Sequence, residues 1–195
     1  MILKHLKHKR IILASGSPRR QEILRSIGID FEVEVRSVDE VFSEDLQHHA
    51  ISDYLAQLKA QQFSDLKPNE ILITGDTIVW HRNRALNKPS DNTEAFEMLQ
   101  SLSDATHEVI SSVCIKTQTT EHILYDTTKV KFKSLTDTEI WHYINTYKPF
   151  DKAGAYGIQE WIGQIGISEI EGSFYTVMGF PIHLVYNYLS KNHHS

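Results

Sequence analysis

The chain has 195 residues, 20 Lys and Arg against 25 Asp and Glu, a formal net charge of −5 and a single cysteine. That length suits one sizeable α/β domain with a full core. The charge balance argues against broad electrostatic capture of nucleic acid, and one thiol excludes a disulfide framework. No stretch approaches the ~20 apolar residues needed to cross a bilayer. The basic start MILKHLKHKR lacks the apolar core of a secretory signal, so a cytoplasmic protein is expected.

In chain order, Ile11, Ile12 and Leu13 form a short apolar run that predicts a buried strand, and Gly16 supplies the tight turn after it. Ser17 is the candidate N-cap and Pro18 suits the first helical position. Ile23, Leu24 and Ile27 then recur at helical spacing up to Gly28. Arg19 and Arg20 stand in the first turn of that helix, where the dipole disfavours cations. Either they are solvated surface residues, or they flank a polyanion that the turn amides and hydroxyls also bind.

FEVEV, Phe31 to Val35, alternates as a strand, and 36–49 reads as a polar loop. A helix follows around Ile51, Tyr54, Leu55 and Leu58. ILITGDTIVW, Ile71 to Trp80, predicts a buried strand bent at Gly75, with Asp76 in its middle. A buried acid needs a partner, a proton or a metal; the alternative is a turn-former bonding the Thr77 amide. DNTEAFEML has a capping-box pattern, Asp91 with Glu94, before Ala95, Met98, Leu99 and Leu102. Two β-rich stretches, His107 to Lys116 and His122 to Phe132, precede a second capping box, Thr136 with Glu139, and a helix through Ile140, Tyr143, Ile144 and Tyr147. The remainder is Gly-rich around AGAYGIQ, then β-like, and closes on a helix started by Pro181. Interleaved strands and helices without strict βαβ regularity predict a mixed sheet flanked by helices.

Among the remaining residues, Cys114 lies in an apolar run and reads as a buried inert thiol. His5, His8, His48, His49, His193 and His194 lack zinc spacing and read as solvated surface. Phe174, Tyr175, Phe180, Tyr186 and Tyr188 read as core. Lys59 and Lys88, each commonly a snorkelling surface residue, join Arg19 and Arg20 as four cations against acids at Glu40 and Asp76. That composition suits a phosphate site with a divalent metal.

Taken together, ASGSPRRQEIL, VDE, LAQLKA, GDTIV, LNKPSDNTEAFEMLQSLSDATHEV, DKAGAYGIQ and GSFYTVMGFPI resemble, in order and over nearly the whole chain, the Maf family of nucleoside triphosphate pyrophosphatases. The resemblance implies a single domain over 1–195, with an elongated mixed sheet and helices around a deep cleft, similar to inosine triphosphate pyrophosphatase. It implies hydrolysis of a nucleoside triphosphate to monophosphate and pyrophosphate with a divalent cation, Mg²⁺ or Mn²⁺, and a homodimer. Ser15, Arg19, Arg20, Lys59 and Lys88 match phosphate-binding positions, and Glu40 and Asp76 match acidic positions expected to hold the metal. Asp76 is the expected base toward the water that attacks the α-phosphorus.

Arg19, Thr77 and Gln159 match positions that mark the branch cleaving dTTP and UTP. A glutamine amide offers both a donor and an acceptor to the edge of uracil or thymine, although Gln159 read alone is a loop amide serving local backbone. Two departures from the family pattern are Thr74-Gly75 before the acid and Glu160 after GIQ, which adds a negative charge beside the expected base-binding amide. The rival readings are a non-catalytic nucleotide- or nucleic-acid-binding regulator of septum formation, and a pyrophosphatase for another modified nucleotide.

Overall fold

The computed structural model describes residues 4–191, so His193 and His194 lie outside the described residues. The described residues form helices and a seven-stranded mixed sheet, in the order β2 (Glu32–Val33), β1 (Arg10–Leu13), β3 (Glu70–His81), β5 (Thr106–Lys116), β6 (Glu121–Phe132) and β7 (Ile167–Glu171), with β4 (Arg84–Leu86) added to β3. The helices are α1 (Pro18–Ser26), α2 (His49–Gln61), α3 (Asn92–Leu102), α4 (Asp137–Tyr147), α5 (Trp161–Gly166), α6 (Phe174–Val177) and α7 (Ile182–Lys191). This is the mixed α/β class expected from the interleaved periodicities.

The chain forms two compact units. One comprises, of the described residues, 4–76, 111–126 and 179–191; the other comprises 77–110 and 127–178. In the first unit β1 pairs parallel with both β2 and β3, so the chain must cross over through α1 and α2 between them. Its core includes Ile12, Ala56, Ala60, Phe63, Leu72 and Cys114. Burial pushes the Cys114 thiol up to about 12, which makes it the inert group its apolar neighbours suggested. The second unit packs α3, α4 and the segment after Pro149 around Leu99, Phe132, Ile140, Tyr143 and Ile158.

Several expectations are corrected. FEVEV pairs over Glu32–Val33 alone, because β1, its neighbour in the sheet, ends at Leu13. Arg10 pins this short edge, bridging Glu32 and Glu70 at 2.6 Å each. Asp91 caps α3 by accepting from the Thr93 and Glu94 amides, yet Glu94 reaches past it to the Ser90 amide and hydroxyl, which together offer two donors. The stretch after AGAYGIQ begins with α5 rather than a strand. Phe180 is core, but Phe174 and Tyr175 are 42% and 47% exposed. His49 is not merely solvated: it bonds Asp53 at 2.9 Å and stacks on Tyr125. The Thr136 capping box and the stop of α1 just before Gly28, which sits at φ +76°, are observed as expected.

One packing feature carries a pH dependence. His107 is buried in the second unit, with one ring nitrogen bonded to the Tyr156 hydroxyl at 2.8 Å and Nδ1 buried without a hydrogen-bond partner. Burial, with a smaller contribution from His81, pushes its pKa down to about 3. The unfolded chain takes up this proton near the ordinary value of about 6.5, whereas the folded state does not, so stability present at neutral pH is lost as pH falls. Between about pH 7 and about pH 5, before carboxylates titrate, unfolding free energy should drop by up to ~1.4 kcal/mol per unit below 6.5. Denaturant titrations at both pH values check this, and His107→Phe should show a shallower fall despite lower stability at pH 7.

Candidate active site

The expected phosphate loop follows β1. Leu13 pairs with Ile73, and the Ala14 amide donates to the Ile73 carbonyl at 2.9 Å. Continuing that register sets the 15–17 turn at the level of Asp76, so a loop and an acid distant in sequence meet because two parallel strands run side by side. Pro18 opens α1 as expected, while the Ser17 hydroxyl makes no capping bond. The Ser15 hydroxyl instead organises the turn, accepting from the Ser17 amide at 3.3 Å and from Arg20 Nη1 at 3.4 Å.

Arg20 is fixed by backbone: Nη1 donates to the Gly75 carbonyl and Nε to the Gly179 carbonyl, both at 2.8 Å. Burial works to lower the guanidinium's pKa, and Arg19 works the same way, while Asp76 and Glu40 support its charge. Arg19, half-buried, stands beside it in the first turn. The charge of Arg20 at this helix start is therefore answered, in part, by acids on other elements.

Asp76 lies within an unbroken β3, which removes the turn-former alternative, and the bend expected at Gly75 is absent. Gly75 serves a close approach instead: a Cβ there would sit 2.9 Å from the Ser112 carbonyl and 3.4 Å from Val113. Gly75→Ala should cost about 1–3 kcal/mol by overpacking, since backbone cannot yield as a flexible side chain would, and urea denaturation measures it.

The partner of Asp76 is Lys59, whose Nζ lies 2.6 Å from Oδ1. Thr74 shows how the contact arises: its buried hydroxyl donates to the Ala56 carbonyl at 2.6 Å, bolting β3 to α2. Two residues on from Thr74 is Asp76, and three on from Ala56 is Lys59, so the bolt aligns the pair. The same ammonium lies 3.0 Å from Glu40 Oε1. Among the described residues, no three His, Cys, Asp or Glu cluster as a metal set. Glu40 and Asp76 converge on the Lys59 ammonium, and two carboxylates are also a donor set of the kind Mg²⁺ takes, its shell completed by phosphate and water.

The other expected residues belong to the second unit. Thr77 continues β3, and Lys88 is exposed on the loop after β4. That loop meets the AGAYGIQ segment, since the Gly154 amide donates to the Asn87 carbonyl at 3.2 Å. Gln159 is half-buried, and its Oε1 is a buried acceptor without a hydrogen-bond partner. It therefore does not spend its carbonyl on local backbone. Glu160 is not the bare charge its position suggested. Lys152, itself buried, lies 3.1 Å from Oε1, and the Tyr143 hydroxyl donates to Oε2. Tyr143 and Lys152 were not singled out in the sequence, because a tyrosine on an apolar helical face and a lysine in a loop each have ordinary explanations.

Residues 10–192 match the family described as Maf-like protein. The chain belongs to the Maf family. Among Maf relatives, it is 52% identical to a dTTP/UTP pyrophosphatase of Flavobacterium johnsoniae, over 97% of this chain and 98% of that protein. It is 54% identical to one of Flavobacterium psychrophilum, over 97% of each chain. A Bacteroides fragilis dTTP/UTP pyrophosphatase is 43% identical, over 97% of this chain and all of its own. Beyond the Maf family, the Staphylococcus aureus Ham1 protein shares the fold, with a TM-score of 0.50 at 14% identity, over 93% of this chain and 98% of that one. No helix among the described residues is long and apolar enough to cross a membrane.

Proposed function

We propose that this Maf protein hydrolyses dTTP and UTP to the nucleoside monophosphate and pyrophosphate. The observation that carries the proposal is Asp76, a carboxylate set in an apolar strand and held at 2.6 Å by Lys59, with Glu40 on the same ammonium. A protein that only bound polyphosphate would gain nothing from two carboxylates there, since they repel the ligand. A hydrolase needs such a group to take a proton from water.

Phosphoryl chemistry asks mainly for alignment and charge neutralisation. In this reading Ser15, Arg19, Arg20, Lys59 and Lys88 bind the triphosphate and stabilise the departing pyrophosphate. Lys59 and the backbone-anchored Arg20 are preorganised for that task, so no reorganisation opposes the reaction. Asp76 takes the proton of the attacking water with the oxygen that Lys59 does not hold. Glu40 and Asp76 would hold Mg²⁺, which supplies charge neutralisation at the phosphates when bound. Among the described residues no histidine bonds Ser15; its hydroxyl accepts within the turn, which leaves its proton to donate to phosphate.

Gln159 is assigned to the base, because its unspent carbonyl oxygen requires a donor and the N3–H of uracil or thymine is one. Arg19 and Thr77 complete the selectivity positions. Support for dTTP and UTP as substrates comes from the three relatives that carry that name over nearly their full length.

Product analysis across a nucleotide panel with Mg²⁺ tests the proposal. UTP and dTTP should yield monophosphate and pyrophosphate well ahead of CTP, ATP and GTP. Equal rates for all five would end the base assignment, and nucleotide binding without turnover would favour a regulator.

A further inference from the structure

Glutamine's carbonyl and amino ends have the same shape, so which end meets a ligand is decided by neighbours. In the second unit those neighbours are unusually well defined. A Cβ on Gly157 would lie 3.0 Å from Glu160 Oε2 and 3.2 Å from Gln159 Nε2, so the carboxylate and the amide flank one gap that only glycine leaves open. The Gln159 nitrogen and the Glu160 carboxylate both border that gap, and Gln159 Oε1 is the buried atom left without a partner.

A carboxylate only accepts hydrogen bonds, so an adjacent amide is favoured with its NH₂ toward the negative charge and its oxygen away. That preference is effective only if the carboxylate cannot move. Here both oxygens are held, Oε1 by Lys152 Nζ and Oε2 by the Tyr143 hydroxyl. Tyr143 also accepts from the Gly157 amide at 3.0 Å, tying the same loop to α4. Lys152 bonds Asp151 at 2.7 Å as well, so one ammonium holds two carboxylates.

We propose that Glu160, clamped by Lys152 and Tyr143, is a positioning residue that orients the Gln159 amide so that its acceptor, not its donor, meets the base. Pyrimidine choice follows from that orientation. Uracil and thymine carry a donor at N3, whereas cytosine carries an acceptor there, so an amide presenting oxygen accepts the first pair and rejects the last. The inference rests on Gln159 being the group that reads the base.

The test is kcat/KM for UTP, CTP and N3-methyl-UTP in wild type, Glu160→Gln and Tyr143→Phe, each with its thermal midpoint. Glu160→Gln keeps the shape but places a donor beside Gln159, so the amide is free to reverse. The UTP-to-CTP ratio should fall by about tenfold or more, because unpaired polar groups no longer penalise cytosine. The penalty on N3-methyl-UTP should shrink in parallel. Tyr143→Phe frees one carboxylate oxygen and should move both ratios the same way by a smaller factor, which keeps the proposal testable if Glu160→Gln does not fold. A merely structural role would lower all three substrates together and leave the ratios fixed; unchanged ratios in folded variants overturn the proposal. If wild type itself treats UTP and CTP alike, the base assignment to Gln159 fails first, and the positioning role with it.

Discussion

Asp76→Asn should reduce kcat for UTP by at least ~10²-fold, the lower end of what removing a general base costs. The substitution is chosen to separate chemistry from architecture. An asparagine oxygen can still accept from Lys59, the bond made at 2.6 Å in the native protein, so β3 and α2 keep their contact. What the amide cannot do is take a proton. The variant should unfold near the wild-type midpoint and bind UTP while failing to turn it over. Turnover within about threefold of wild type, in a variant shown to be folded, would remove Asp76 from the chemistry.

The second large effect belongs to Lys59. Its ammonium touches both Asp76 and Glu40, and its side chain is 15% exposed, so its removal takes away a largely buried charge. Lys59→Met leaves two carboxylates facing one another and an anionic substrate, and kcat/KM should fall by about 10²–10³, as for loss of one preorganised donor. Lys59→Arg should rescue little. A compact point charge fits between carboxylates at 2.6 and 3.0 Å, whereas the planar guanidinium is longer and demands a different fork. Steady-state kinetics with UTP across the three proteins checks both statements. Full activity in Lys59→Arg would show that charge alone, without this geometry, is sufficient.

The parts of this molecule that were legible in its sequence are those determined by short-range pattern. Ile11 to Leu13, Gly16, Pro18 and Gly28 mark a strand, a turn and both ends of α1 within eighteen residues, and Thr136 with Glu139 marks the start of α4. Asp76 stood out because an acid in ILITGDTIVW contradicts the burial around it. Glu40 was named with it from composition and resemblance, but an acid in a polar loop contradicts nothing by itself, and the folded chain puts it on the Lys59 ammonium.

Gly75 shows a different limit. A glycine inside an apolar run predicts a bend or a close approach equally well, and the Ser112 carbonyl decides for the latter. The Tyr143–Glu160 bond joins residues seventeen positions apart on separate elements, and each has a commonplace reading when taken alone. Glu160 consequently looked like a liability beside the base-reading amide. In the folded chain Lys152 and Tyr143 hold both of its oxygens beside that segment.

Hydrolysis of UTP in ¹⁸O-labelled water tests the central claim most directly, because it reports which phosphorus is attacked. With Asp76 directing water to the α-phosphorus, one labelled oxygen should appear in UMP and none in pyrophosphate. Label in the pyrophosphate, or UDP and inorganic phosphate as the products, would contradict the account.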